Sequence, residues 1–268
     1  MSALQTIIAE ISQGEITFPT HADVAFRVRL ALDDPDLHIA KAAQIIQAEP
    51  LLAARVVGIA NSVAFNREGV PITDIRNAVV RLGIQFIRAL ATALVMRQMA
   101  GGLKSPVYQA LGVHLWEHTV HVSALAHVLA VHFGSVRPDL AVFAGIVHEV
   151  SGFYLIWRSD SEHDLFADGS LLSQDAEALV GKAVLTALAV PAEVATAIEA
   201  LWKPGGIVFP PKTLGELLFL ANAMTPMRSP FHRLDAEVEL PAMESAVLAA
   251  IVEESGDKMA AMTSALRY

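Results

Sequence analysis

The sequence predicts an all-α protein, and three observations carry that reading. Nearly every segment spaces its apolar residues three or four apart, the repeat of a helix with one buried face. Convincing alternation of period two, the mark of a half-buried strand, is absent. Hydrophobic residues make up 54% of the 268 and charged residues 18%. Such a chain is too apolar for disorder and long enough for a large core.

The elements follow in order. Leu4, Ile7, Ile8 and Ile11 form one stripe, ended by Gly14. Pro19-Thr20 leads into a second helix whose buried face holds Val24, Val28 and Leu32. Asp33-Asp34-Pro35-Asp36 breaks it and is expected to cap a third, with Ile39, Ala42, Ala43 and Ile46 inward. Pro50 suits the first turn of a short helix through Ala60. Asn61–Pro71 is a loop, in which Asn61 and Ser62 can satisfy the exposed backbone of a helix end. The same loop is placed to line a groove between the two halves of the chain, where a ligand or partner would sit.

Thr73 is the expected cap of a helix running to Met99 and stopped by Gly101-Gly102. The doublet, followed by Lys-Ser-Pro, divides the chain into an N-terminal helical subdomain, 1–102, and a second helical subdomain, 103–268. Helices near 107–133 and 137–157 come next, then a polar loop at Ser159–Ser170 and a helix at 173–188. Pro191 opens a helix to about Trp202; the connector KPGGIVFPP (203–211) leads to one capped by Thr213 and running through Ala223. One or two more helices follow Leu240.

Charge narrows the function. Residues 1–137 hold 11 basic and 10 acidic side chains, and residues 138–268 hold 8 and 18. Neither half offers the phosphate-neutralising surface of a nucleic-acid binder. With no cysteine, disulfides, thiolate zinc sites and cysteine nucleophiles are excluded. The N-terminus lacks the basic start and unbroken apolar core of a signal peptide, and apolar runs such as Leu140–Val147 are short for a membrane span. The expectation is a cytoplasmic protein without a membrane partner. No glycine-rich phosphate loop, nucleophile elbow or Ser-His-Asp pattern is visible.

The chemistry concentrates in Leu115–Phe153, where His118 and the dipeptide His148-Glu149 stand among apolar residues, 30 positions apart. That separation suits two packed helices, each offering one imidazole to a common point. The simplest reading is a buried polar bridge between helices. His114, His118 and His121 also share one helical stripe, and a pair four apart can chelate zinc or nickel if His148 converges on it. The simpler alternative buries His118 and leaves the other two partly exposed. Arg76, Arg81, Arg88 and Arg97 read as a solvated face supporting helix packing rather than an anion patch. Trp116, Trp157, Trp202 and Phe209 lie near connectors, where exposed aromatics would help a partner dock.

Several runs together resemble the HDOD proteins, bacterial signalling relatives of the HD-domain metal-dependent phosphohydrolases. They are FPTHADVAFRVRLALDDPD (18–36), AEPLLAARVVGIANS (48–62), PITDIRNAVVRLGIQFIRAL (71–90), LWEHTVHVSALA (115–126), FAGIVHEVSG (143–152) and LAVPAEVATAIEA (188–200). The resemblance implies a multi-helix HD-like bundle. It also implies a metal-ligand set of a helix His, a His-Asp pair and a distant Asp. Carried over, these fall on His118, on His148-Glu149 and on Asn222.

This sequence departs from that set twice. Glu149 is one methylene longer than Asp, and Asn222 brings an amide without charge. Glu177, and the stretch Ala200–Trp202, stand where many relatives have histidines. The four positions therefore read as a vestigial metal site with no catalytic residue and no cofactor expected, although a divalent metal could still bind. The expected function is a non-catalytic signalling module for a protein partner or small ligand. The alternative is a divergent metal-dependent phosphohydrolase for a nucleotide or phosphoester.

Overall fold

The computed structural model describes residues 3–19, 23–34, 36–63, 65–66, 69–162, 174–203, 206–231 and 242–267. Among them are fourteen helices and no strand. The first six are α1 (Ala3–Ser12), α2 (Asp23–Ala31), α3 (Ile39–Gln47), α4 (Pro50–Ala60), α5 (Ile75–Leu82) and α6 (Ile84–Gly101). Then come α7 (Pro106–Phe133), α8 (Pro138–Val147), α9 (Val150–Glu162), α10 (Gln174–Ala187) and α11 (Ala192–Leu201). The last three are α12 (Leu214–Met224), α13 (Ala242–Glu254) and α14 (Gly256–Arg267).

At the centre lies α7, 28 residues long, with α8, α9, α12, α13 and α14 packed along it. α6 packs against α8 and α9, so one continuous core runs from α1 to α14. Gly145 sets the closest approach. A Cβ there would meet the Ser123 Cα at 2.6 Å, so α8 crosses α7 backbone to backbone. This crossing lies just beyond His118 on α7 and just before His148, which ends α8.

Two long helices expected from periodicity are each broken in two. The Thr73–Met99 helix bends by 106° at Gly83, whose φ of +80° and ψ of 151° belong to glycine alone. The helix expected over 137–157 is interrupted at His148-Glu149, between α8 and α9. Pro138–Asp160, taken together, is long and apolar enough to cross a membrane, further than the sequence suggested. Its apolar window is 94% buried inside the fold, as befits a central helix pair.

Caps and faces differ from expectation at several points. Asp74, not Thr73, caps α5, accepting from Asn77 N–H at 2.9 Å. The aspartates at 33–36 do not cap α3, whose N-cap is His38; Asp34 accepts from Asp36 N–H, and Asp33 pairs with Arg29. Ile39 is 46% exposed, while Ala42, Ala43 and Ile46 are buried. The side chain of Val24, residues 163–170 of the expected polar loop, and Leu240 lie outside the described residues. Ser159 and Asp160 belong to α9 rather than to that loop. The Asp160 carboxylate accepts from Lys104 and Ser105 N–H (2.6 and 2.7 Å), capping α7 from a distance. Thr213 and Glu216 form the capping box of α12.

The arginines of α5 and α6 hold packing together. Arg81 donates to the carbonyls of Ala60 and Val70, Arg88 donates to that of Leu32, and Arg97 stacks on Trp116 at 5.5 Å. Arg29, which the sequence reading passed over, is fully buried. It donates to Thr92 Oγ1 and to the Ala189 carbonyl, tying α2 to α6 and to the turn after α10. Of the aromatics near connectors, Trp116 is buried and Trp157, Trp202 and Phe209 are half-buried. Trp116 is buried against Phe153, Trp202 covers Gly181, and Phe209 meets Phe133 edge-on.

Candidate metal centre

The break between α8 and α9 brings His148 and Glu149 to α7. His148 Nε2 lies 3.0 Å from His118 Nε2. Glu149 Oε1 lies 3.6 Å from the first imidazole and 3.9 Å from the second, counting from His118. The three residues are 0%, 4% and 7% exposed in the order His118, His148, Glu149.

The outer nitrogens fix the tautomers. His118 Nδ1–H donates to the Met227 carbonyl at 2.6 Å, and His148 Nδ1–H donates to the Gly145 carbonyl at 2.7 Å. A carbonyl can only accept, so both protons sit on Nδ1 and both Nε2 atoms present lone pairs to each other. Two lone pairs and a carboxylate oxygen facing inward require a positive charge. A proton shared between the rings satisfies the geometry, and so does a cation.

The donor set fits a small divalent ion. With the three atoms spaced as above, the point equidistant from all lies about 2.1 Å from each, the bond length of zinc to imidazole nitrogen or carboxylate oxygen. Both Nδ1–H groups already donate to carbonyls, the arrangement that orients metal-bound imidazoles. His118, His148 and Glu149 would hold the ion, which would supply Lewis acidity at that point. The charge supplied by the protein is a single carboxylate.

Of the four positions singled out in the sequence, the structure gathers these three, whose donor atoms all lie within 4.8 Å of one another. Asn222 is half-buried on α12, which packs against both α7 and α8, and among the described residues it makes no hydrogen bond to the three. The other histidines of the α7 stripe turn elsewhere. His114 Nε2 lies 2.9 Å from the Arg228 carbonyl, and His121 Nδ1–H donates to Glu117. Glu177 is half-buried on α10.

Sequence reasoning missed the backbone groups that complete the site. Met227 and Gly145 contribute carbonyls, which no side chain announces. The segment after α12 lies along α7, with Phe231 closed over Gly152 and Leu115. Only the Thr213–Glu216 box, which starts α12, hinted at where that segment would arrive.

An all-helical bundle with two imidazoles and a carboxylate converging from a long helix and a broken neighbour defines the HD-like class. Residues 18–204 match the HDOD domain, so the chain belongs to the HDOD family. It superposes on the crystal structure of a candidate metal-dependent phosphohydrolase from Shewanella amazonensis SB2B with a TM-score of 0.67 at 20% identity. That match covers 100% of this chain and 99% of the other. An HDOD domain protein of unknown function from Geobacter sulfurreducens gives a TM-score of 0.65 at 20% identity, covering 99% and 98%. A candidate signal transduction protein from Marinobacter aquaeolei VT8 gives 0.59 at 19% identity, covering 94% of this chain and 60% of that one. At these identities the likeness establishes the fold. No curated protein matches the chain.

Proposed function

We propose that this chain is a non-catalytic HDOD regulatory protein, acting by binding a protein partner or small ligand across its two subdomains, 1–102 and 103–268. The observation that carries the reading is the burial of the donor cluster. His118 is 0%, His148 4% and Glu149 7% exposed, so among the described residues the donor groups present almost no surface on which a phosphoester could dock. The cluster instead bridges α7 to the α8–α9 break, with one cation or one shared proton balancing Glu149. Asn222 adds no second negative charge, which argues against a dinuclear centre. The Marinobacter neighbour, described as a signal transduction protein, accords with a regulatory role.

The second reading, a divergent metal-dependent phosphohydrolase, is favoured by the fit of the three donors to a divalent ion and by the description of the Shewanella neighbour. Elemental analysis of protein purified without a metal-affinity tag, followed by hydrolysis of bis-p-nitrophenyl phosphate with Mn²⁺, separates the two. The regulatory reading expects wild type and His148→Ala to be equally inactive, whether or not metal is found. Turnover by the wild type that His148→Ala abolishes overturns it.

A further inference from the structure

Away from the histidine cluster, α4 and α14 leave a groove of about 640 Å³ between them. Leu51, Ala54, Gly58 and Val63 form one wall, and Ala261 and Ser264 form the other. Its lining is mostly apolar, with one charged group, Arg55. That guanidinium makes no close ion pair: among the described residues no carboxylate lies within salt-bridge range of it. Glu49 is near enough to favour its charge, but the Glu49 carboxylate accepts from Leu52 N–H at the start of α4. Burial, and then the like charge of Arg97, lower the Arg55 pKa to about 10. A half-buried cation that faces an apolar groove and a second cation, with its nearest carboxylate beyond salt-bridge range, can accept a further anion from that groove.

We propose that the α4–α14 groove binds a small organic anion, an apolar body carrying one carboxylate or phosphate that docks on Arg55. The volume lies in the range of small-molecule sites, and a guanidinium takes either anion in a two-point contact. A single charge beside apolar walls suits one head group on one tail. Asn61 and Ser62, also in the lining, are committed to backbone carbonyls and to Ile72 N–H, so Arg55 is the one charged group left to recognise a ligand, with the Ser264 hydroxyl on the facing wall.

The ligand would touch α4 and α14 together. Arg267 of α14 is paired with Glu117 of α7 at 2.7 Å, next to His118. Occupancy would therefore fix the C-terminal helix against both the N-terminal subdomain and the central helix. The proposal rests on the regulatory reading, for which it names the ligand class and the place.

Calorimetric titration of the full chain with decanoate, decyl phosphate and decanol tests it. Saturable one-site binding is expected for at least one anion, the two arms separating carboxylate from phosphate, with decanol weaker by about tenfold or more. Arg55→Gln should weaken the anion by about tenfold or more. Gly58→Leu should abolish binding without loss of thermal stability, because a Cβ at Gly58 meets nothing within 4 Å and the side chain would fill the groove. The proposal is overturned if neither anion saturates, if decanol binds as well, or if both variants bind like wild type. A concentration-dependent dimer that Gly58→Leu splits, with no anion bound, would also overturn it, assigning the groove to a second copy of the chain. Phosphodiester hydrolysis would sink the regulatory reading while leaving the titration result intact.

Discussion

Two helix interruptions, at Gly83 and at His148-Glu149, differ in outline and in cause: the first bends the chain by 106°, whereas Pro138–Asp160 runs on as one long helix through the second. Gly83 is exposed, and its backbone angles, φ +80° and ψ 151°, turn the chain by themselves. His148 has ordinary helical angles, φ −63° and ψ −27°, and its side chain is buried. Nothing in the His148 torsions demands a break there. What holds it is tertiary: the close approach of Gly145 to Ser123, the His148 bond to Gly145, and the ring of His118 opposite. A break made by glycine changes direction; a break made by packing creates a site.

The largest expected effect tests the second cause. Gly145→Ala drives a Cβ into the Ser123 backbone, which cannot yield as a flexible side chain would, and should cost about 3 kcal/mol in urea unfolding. A cost no greater than that at Gly83 would break the contrast. His118→Ala should cost about 2 to 3 kcal/mol by leaving His148 and the Met227 carbonyl without their partner. Its specific mark should be faster hydrogen exchange at 225–231, a segment Gly83 variants leave untouched.

Gly83→Ala should cost about 1 to 3 kcal/mol through backbone strain alone. The loss should appear as a lower urea midpoint, with metal content unchanged from wild type. A smaller, pH-dependent effect belongs to Glu216. Hydrogen bonds from Lys212 and Thr213 N–H lower its pKa, so its contribution is present above the unfolded value and disappears as pH falls through the folded one. Urea midpoints of wild type and Glu216→Gln should therefore converge on acidification. The smallest change should be a gain. Gly58→Ala, with neither strain nor close contact to answer to, should raise stability by about 0.5 to 1 kcal/mol in thermal unfolding.

The fold was largely legible, for reasons that also explain the errors. Apolar spacing marks a helix over any run long enough to bury one face, which is why Ala42, Ala43 and Ile46 were placed correctly. The same rule misplaces Ile39, at the first turn of α3, where the chain has not yet reached the core. Thr213 was readable as a cap because its partner Glu216 is three residues away. Asp160, capping α7 from more than fifty positions along the chain, was not. Arg29 carried a local hint in Asp33 one turn later, but its partners on α6 and after α10 lie far along the chain.

The same division runs through the candidate site. The spacing of His118 and His148-Glu149 put two imidazoles within reach of each other across neighbouring helices, and that much is a matter of rise per residue and helix packing. Their tautomers, the facing lone pairs and the near-complete exclusion of water were decided by carbonyls at Gly145 and Met227 and by one glycine's contact with Ser123. Sequence determines which segments coil and which side chains have chemistry to offer. Only the folded chain sets which backbone oxygen each ring meets, because those encounters depend on distances between residues that the order of the chain does not encode locally.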